Sequence, residues 1–275
     1  MPATPDSTVS ITQAAERLGV HYMTVYRYVR LGHLRAERRD GEWHVQVRDL
    51  QEFNRQRKQR SKRGKRPTVD WSARLEQCLL AGDETAAGKL LDDAMASGHD
   101  LFELYLDVVS PAMVAIGERW AGGKLHIHEE HRASLIVGRL LARVSARFAH
   151  RGPTRGTVVI GGPSGEHHGL SITMVADLLR SKGWNVSDIG TDVPAESFAA
   201  AVRGVDQLRA VCVGVTLRES LPAARDVVGR VRAVVAKSVP IYLGGAAVDS
   251  ADTAREHGAD DWARDPRSLV ALLSA

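Results

Sequence analysis

Apolar and polar positions change their spacing along the chain, and each change predicts a different kind of structure. From Val9 to about Asn54, short helical patterns precede two strand-like runs. Residues 70–150 carry apolar side chains at steps of three and four, which is typical of amphipathic helices. From Arg155 onward, continuous apolar runs such as TVVIGG (157–162) alternate with helical patterns, as in a parallel sheet covered on both faces. The pattern predicts helical segments followed by an α/β domain.

The first segment, residues 1–54, predicts a winged helix-turn-helix. Residues 11–18 form one predicted helix capped by Ser10, and residues 22–31 form a second helix after a tight turn. The sequence RAERRDGEWHV then predicts two strands around Asp40-Gly41, which is a strong signal for a β-hairpin.

This segment resembles the excisionase-type and MerR-type DNA-binding domains in the pattern ITQAAERLGV, TVYRYVRLGHL, GEWHV and RDLQEF. The resemblance implies double-stranded DNA as a partner, with the second helix in the major groove. The residues implied to contact DNA are Tyr22, Met23, Thr24 and Arg27 at the bases, and Arg30, Arg38 and Arg39 at the phosphates. A winged helix that binds a protein is the alternative, because seven Arg balance seven acidic residues here.

Residues 55–66, RQRKQRSKRGKR, carry eight basic residues and no acidic one. Since the whole chain carries +4, residues 67–275 carry a net −4. Like charges repel, so we expect residues 55–69 to be a solvated linker. Because this segment follows a DNA-binding motif, we expect its basic side chains to contact the phosphates of DNA. The alternative is a spacer that only keeps the chain in solution.

Residues 70–150 predict a bundle of about four helices with Asp83 and Asp100 as N-caps. Residues 151–275 predict the parallel-sheet domain. A ligand of such a sheet binds beyond the carboxyl ends of the strands. These ends carry the loops GGPSGEHHG, GTDVP, GVTLRES and LGGAA.

The densest chemical signal is GGPSGEHHGLS. Glu166 stands two residues before His168, where its carboxylate can accept a hydrogen bond from one imidazole nitrogen while the other faces outward. Such a carboxylate fixes the tautomer of a metal-ligating histidine and raises its basicity. A solvated or capping histidine is the alternative. A zinc site is a weaker alternative, because no Cys or carboxylate is spaced to complete a tetrahedral set with the candidate histidines. Those histidines are His126, His128, His131, His167 and His168.

These residues resemble the cobalamin-binding domain of methionine synthase and corrinoid proteins, with its Asp-x-His-x-x-Gly pattern on a Rossmann-like sheet. The matching positions are Glu166-His167-His168-Gly169-Leu170-Ser171, Gly214-Val215-Thr216 and Gly244-Gly245. The resemblance implies cobalamin bound base-off, with His168 as the cobalt ligand. It also implies a slot for the nucleotide tail, lined by Gly214, Thr216, Gly244 and Gly245. Glu for Asp keeps the charge, whereas Ser171 and Gly214, which replace the family's Gly and Ser, alter the slot. His167 is a competing ligand that the spacing disfavours.

Trp120 is followed, after nine residues, by Glu130-His131. This spacing resembles the Trp-x9-Glu-His pattern of CarH/LitR-type light-responsive regulators. The resemblance implies that the bundle caps adenosylcobalamin, with Trp120 over the upper axial group and Glu130 and His131 bonded to its ribose or adenine. Light would break the cobalt–carbon bond and remove that contact, which makes a switch.

Ala121 departs from the CarH/LitR pattern, in which a histidine follows the Trp and captures cobalt after photolysis. Three alternatives stay open. Either His126 or His128 substitutes, or no such adduct forms, or the upper group differs.

The sequence thus predicts a multidomain α and α/β fold: winged helix-turn-helix, four-helix bundle and Rossmann-like sheet. The predicted function is a non-enzymatic transcriptional regulator, a repressor, that binds DNA as a homo-oligomer (dimer or tetramer). The alternatives are a corrinoid methyl carrier and a chromophore-dependent sensor acting on a protein partner. Cys78 and Cys212 lie in separate apolar runs, so we expect reduced thiols. No apolar run is long enough to span a membrane, and the start MPATPDSTVS lacks the features of a secretory signal. We therefore expect a cytoplasmic location.

Overall fold

The structure, a computed structural model, describes residues 7–18, 20, 25–26, 28–29, 34–39, 42–62 and 69–274. Two compact units divide the chain, an N-terminal unit (Met1–Asp70) and a C-terminal unit (Trp71–Ala275). Within the described ranges, no helix combines the length and apolar character that crossing a membrane requires.

A small antiparallel sheet and helices build the N-terminal unit. Strands β1 (Thr8–Ser10), β2 (Glu37–Arg39) and β3 (Glu42–Gln46) pair in the order β1-β3-β2. The predicted hairpin is present, with Arg38 opposite Trp43. Strand β1 was not predicted, because three residues are too few to show alternation.

Helix α1 (Ile11–Leu18) begins where the cap was predicted, since the Gln13 backbone N–H donates to Ser10 Oγ at 3.3 Å. Residues 25–26 and 28–29 are helical. Apolar side chains of these helices and of the sheet form one core with exposures of 5% or less, among them Ala14, Leu18, Val25, Leu34 and Val45.

Helix α2 (Val47–Lys62) follows β3 directly. The predicted boundary between residues 54 and 55 falls inside this helix, so the basic segment begins in a helical conformation. Arg, Lys and Gln are good helix formers, and neither Gly nor Pro interrupts the run before Gly64. Helical propensity therefore outweighs the repulsion of like charges over these residues.

The C-terminal unit begins with the predicted bundle of four helices. Its members are α3 (Trp71–Ala81), α4 (Glu84–Ala96), a continuous third helix and α6 (Ile127–Ser145). The third helix consists of a first turn (Leu101–Glu103), a π-helical turn (Leu104–Val109) and α5 (Ser110–Ala121).

Both predicted N-caps of the bundle are confirmed. The Asp83 side chain accepts from the Ala86 backbone N–H, and Asp100 forms a reciprocal capping box with Glu103. These bonds satisfy N–H groups that a helix start leaves without partners.

The predicted Rossmann-like sheet is present and entirely parallel. Its strands are β4 (Thr157–Gly161), β5 (Asn185–Asp188), β6 (Leu208–Gly214), β7 (Ile241–Gly244) and β8 (Asp261–Ala263), in the order β5-β4-β6-β7-β8. The helices are α7 (Gly169–Ser181), α8 (Ala195–Val202), α9 (Leu221–Arg232), α10 (Ala251–Glu256) and α11 (Pro266–Leu272). Of these elements, the short strand β8 and the helices α10 and α11 were not predicted. The strand order reverses beside β4, which creates a crevice between the carboxyl ends of β4 and β6.

The bundle packs directly on α7. Met174 and Leu178 of that helix belong to the core of the bundle. The Tyr105 hydroxyl donates to Asp177 Oδ2 at 3.1 Å, and both side chains are buried. A Cβ added at Gly138 of α6 would lie 3.8 Å from Leu170, so α6 passes the first turn of α7, next to His168.

Candidate functional site

The loop that carries Glu166 and His168 leaves the end of β4 and leads into α7, with His168 just before the first helical residue. The loop that follows β6 meets it across the crevice. Both therefore lie at the point where an open parallel sheet of this order accepts its ligand.

Glu166 and His168 form the predicted carboxylate–histidine pair. Glu166 Oε1 accepts from His168 Nδ1 at 2.6 Å and from the His168 backbone N–H at 2.9 Å. The carboxylate side chain is only 1% exposed, whereas the imidazole is 48% exposed. A ring held through Nδ1 keeps Nε2 available for a ligand, and Glu166 makes this pair with His168 rather than with its competitor His167.

The other carboxylate oxygen ties this loop to the end of β6. Glu166 Oε2 accepts from the Thr216 backbone N–H at 2.5 Å and from the Leu217 N–H at 3.3 Å. Burial acts to raise the pKa of Glu166, but the hydrogen bonds from His168 and Thr216 outweigh it and lower the pKa to about 2. The hydrogen bond to Glu166 raises the pKa of His168 against the opposing effect of burial. Glu166 is therefore a carboxylate at neutral pH.

The predicted slot residues lie at the ends of β6 and β7, where the packing of the chain itself requires small residues. A Cβ at Gly214 would come within 2.7 Å of Ile172 Cδ1, and one at Gly244 within 2.9 Å of the Ala263 carbonyl oxygen. Gly245 has a φ of +105°, which other residues rarely adopt. Their part in lining a slot stays a prediction.

Two other predicted residues contact the pair in ways the pattern did not specify. Ser171 Oγ donates to the His168 carbonyl oxygen at 2.7 Å, so it closes the first turn of α7. Thr216 contributes its backbone N–H to Glu166, as described above.

The other predicted site residues, Trp120, Glu130 and His131, belong to the bundle. Trp120 is the last residue but one of α5 and is 45% exposed, so it is not a core residue. Glu130 Oε2 lies 2.6 Å from His131 Nδ1, and Glu130 Oε1 accepts from Ser134 Oγ at 2.6 Å. Glu166 has the largest effect on the pKa of His168, and the negative charge of Glu130 raises this pKa further.

Three residues that hydrogen-bond to the candidate site were not predicted from the sequence. Ser134 stands four residues after Glu130 on one helix face, a spacing that could have revealed it. Leu217 acts through its backbone and Asp192 through a bond to a distant loop, and neither leaves a signal in the spacing.

The remaining candidates are two histidines of the bundle and the two thiols. His126 and His128 stack with ring centroids 5.6 Å apart at the start of α6. Among the described residues, no group of three or more His, Cys, Asp or Glu could hold a metal ion. Cys78 and Cys212 are free thiols.

Most of the predicted DNA contacts lie outside the described residues: Tyr22, Met23, Thr24, Arg27 and Arg30. Arg38 is exposed on β2, and Arg39 ends the same strand opposite Glu42. These contacts stay predictions.

Three family models match the chain, one after another. A helix-turn-helix domain matches residues 8–58. Two models described as B12 binding domains match residues 71–145 and 156–271, the bundle and the sheet.

The comparison with curated proteins points to regulators and corrinoid carriers. The HTH-type transcriptional repressor CarH of Myxococcus xanthus is 30% identical over 204 residues, which cover 70% of this chain and 66% of the repressor's length. The trimethylamine corrinoid protein of Methanosarcina barkeri is 25% identical over 74% of this chain and 94% of its own.

The solved structure of the Methanosarcina barkeri monomethylamine corrinoid protein has a TM-score of 0.62 to this chain at 18% identity. It covers 73% of this chain and 95% of that protein, so the two share a fold. With a helix-turn-helix domain ahead of two B12 binding domains, the chain belongs to the family of CarH-type regulators.

Proposed function

We propose that this chain is a DNA-binding transcriptional repressor that senses cobalamin, held base-off in the C-terminal unit with His168 as the lower ligand of cobalt. The observation that carries the proposal is the Glu166–His168 pair at the crevice of the parallel sheet. The similarity to the repressor CarH supports the regulatory role.

The residues present fit a corrin-bound metal. A buried carboxylate holds Nδ1 of a half-exposed imidazole, which is the arrangement that orients a metal-ligating histidine. When bound, cobalamin would supply a cobalt ion for His168 to hold and, in its adenosyl form, a photolabile cobalt–carbon bond. The four hydrogen bonds to Glu166 hold the lower ligand in place before the cofactor arrives.

For the opposite face we propose Trp120, Glu130 and His131 as contacts to an adenosyl group. A tryptophan exposed by 45% at a helix end has apolar surface that a ligand could cover. Glu130 and His131 present polar atoms on the next helix, and the charge of Glu130 reaches His168. Covering or uncovering Trp120 would then report whether the upper group is intact, which makes light a signal.

For DNA we propose the winged helix-turn-helix of the N-terminal unit, together with the basic end of α2. A single winged helix-turn-helix domain of this size has a limited area of contact with DNA. The chain therefore acts as a homo-oligomer, a dimer or tetramer, on a double-stranded operator. Such a regulator works in the cytoplasm, and no catalytic step is part of this role.

The test compares His168→Ala with His167→Ala, the neighbouring histidine on the same loop. Each protein is mixed with adenosylcobalamin in darkness, and the absorption spectrum and the dissociation constant are measured. We expect His168→Ala to lose the spectrum of imidazole-ligated cobalt and about tenfold or more in affinity, while His167→Ala matches the wild type. The same bands and affinity in His168→Ala would overturn the ligand assignment.

The regulatory part is tested separately, by the affinity for promoter fragments from the chain's own locus with and without cobalamin. We expect cobalamin to change that affinity. An unchanged affinity would overturn the sensor and leave a constitutive DNA-binding protein.

A second candidate function is a corrinoid methyl carrier. The matches to corrinoid proteins cover 94% of their length and support it. A methyl carrier has no use for the helix-turn-helix domain of residues 8–58, which favours the regulator. Transfer of the methyl group of bound methylcobalamin to an added thiol, in darkness, would favour the carrier.

A further inference from the structure

The loop that carries Glu166 and His168 is backed by the loop after β5, residues 190–193. The Gly162 N–H donates to the Gly190 carbonyl at 2.8 Å, and the Val193 N–H donates back to the Gly162 carbonyl at 3.1 Å. These two backbone bonds extend the parallel pairing of β4 and β5 past the ends of the strands. They anchor the beginning of the histidine loop.

Asp192, in the loop after β5, bonds the histidine loop through both its backbone and its side chain. Its backbone N–H donates to the Glu166 carbonyl at 2.9 Å, and its Oδ1 accepts from the Gly165 N–H at 2.8 Å. Of these four bonds between the two loops, the bond from the Gly165 N–H to Asp192 Oδ1 is the one that uses a side chain. It is therefore the bond that a substitution can remove without changing the backbone.

The backbone of Asp192 is unusual. Its φ is +57°, and among the described non-glycine residues only Gln207 shares a positive φ. Glycine would adopt this conformation at lower cost, although Asp and Asn tolerate it better than other residues. A residue persists in such a conformation where its surroundings hold it, often at functional sites. Here the surroundings are the two hydrogen bonds to Gly165 and Glu166.

The position of Glu166 depends on this support. Its side chain spans the crevice from His168 on one side to Thr216 and Leu217 on the other, with contacts from 2.5 to 3.3 Å. A displacement of its backbone by a fraction of an ångström lengthens some of these bonds. The direction of the His168 ring follows the carboxylate, since Nδ1 is bonded to it.

We propose that Asp192 is a positioning residue for cobalt ligation: by bonding Gly165 and Glu166, it sets the carboxylate that aims His168. The proposal rests on the proposed function, because it takes His168 as the ligand. The aspartate is exposed, and its hydrogen bonds described above go to Gly165 and Glu166, so its action on the imidazole is indirect.

The test uses the full chain with Asp192→Asn, Asp192→Gly and Asp192→Ala. Asn keeps an acceptor oxygen and tolerates the positive φ, whereas Gly relieves the backbone and removes the acceptor. Gln207→Gly is the matched control, because it relieves the other positive φ in the loop before β6, at the opposite end of the sheet.

Two quantities are measured. The first is the dissociation constant for adenosylcobalamin in darkness. The second is the nitrogen splitting in the electron paramagnetic resonance spectrum of the protein loaded with cob(II)inamide. This probe lacks the benzimidazole tail, so a nitrogen signal reports an imidazole of the protein. A general loss of stability would not by itself remove the nitrogen signal from the protein that remains folded and loaded.

We expect Asp192→Gly and Asp192→Ala to weaken cobalamin binding by about fivefold to tenfold and to lower the fraction of nitrogen-ligated cobalt. Asp192→Asn and Gln207→Gly should match the wild type in both. The proposal is overturned if Asp192→Gly keeps the wild-type affinity and signal, or if Asp192→Asn loses as much as Asp192→Gly. A wild type without any nitrogen signal would overturn the ligation by His168 itself, and the Asp192 proposal with it.

Discussion

Glu166 receives four hydrogen bonds although its side chain is 1% exposed, and this number explains why a charge is tolerated there. An ionised carboxylate is costly to bury unless its lone pairs are satisfied. The donors come from two loops, so the charge joins the end of β4 to the end of β6. Its low pKa, about 2, is the result of these bonds.

Replacement of this carboxylate by an amide therefore tests its charge at almost constant volume. In Glu166→Gln the amide can accept through one atom only, and its NH2 group would face N–H donors that require an acceptor. We expect cobalamin affinity to fall by about 10- to 100-fold and the free energy of unfolding to fall by about 1–3 kcal/mol.

The measurements are a cobalamin titration and urea unfolding of the cobalamin-free protein. Glu219→Gln, an exposed carboxylate after the same strand β6, is the control and should change neither quantity. If the two variants behave alike, Glu166 has no special role in orienting His168.

At the scale of elements, the strands and helices with long periodic patterns were predictable and the short or local ones were not. The run TVVIGG predicted β4 because fully buried parallel strands are continuously apolar. Strands β1 and β8 have three residues each and carry no such pattern. The π-helical turn at Leu104–Val109 depends on packing that periodicity does not contain.

The same distinction holds for the site. The Glu166–His168 bond joins residues two apart and could be predicted from spacing. The bonds from Gly165 to Asp192 and from Leu217 to Glu166 join residues 27 and 51 apart, and they exist only because the sheet brings the loops together. Sequence reasoning without the fold therefore misses what positions the histidine.

The junction between the bundle and α7 has a buried titratable group, Asp177. Burial is the main cause that raises the pKa of Asp177 above 3.8, although Tyr105 and Arg180 donate hydrogen bonds to it. The folded state thus binds this proton more tightly than the unfolded state. The contribution of Asp177 to the free energy of unfolding is largest below 3.8 and falls as the pH rises through the raised pKa.

We therefore expect Asp177→Asn, which does not titrate, to gain stability relative to the wild type as the pH rises through this window. Urea unfolding of both proteins on either side of the window measures the difference. Asp252→Asn, at a side chain that is 86% exposed, should show no such pH-dependent difference. A constant difference between Asp177→Asn and wild type at all pH values would contradict the prediction.

At the scale of the whole molecule, sensing requires that the state of the C-terminal unit alters DNA binding by the N-terminal unit. We expect the protein loaded with adenosylcobalamin in darkness to bind its operator, and green light to lower that affinity and change the oligomer size. Because Ala121 follows Trp120, the spectrum after illumination depends on whether another histidine reaches the cobalt.

Gel filtration and operator titrations before and after illumination measure these changes. Trp120→Ala should keep cobalamin but lose the light response, whereas Leu135→Ala, at an equally apolar position that is 64% exposed on α6, should keep both. Identical oligomer size and DNA affinity before and after light would leave cobalamin concentration as the signal.

The buried bond between Tyr105 and Asp177 joins the beginning of the third helix of the bundle to α7. Trp120 stands fifteen positions after Tyr105 along the third helix of the bundle, a distance of about 20 Å. Between these two residues Ala112 and Ile116 are fully buried in the core of the bundle, and Arg119 donates to Glu76 of α3 at 2.8 Å. Trp120 therefore stands on a helix that is held at both ends, so we expect a displacement of the indole to move the neighbouring helices of the bundle as well.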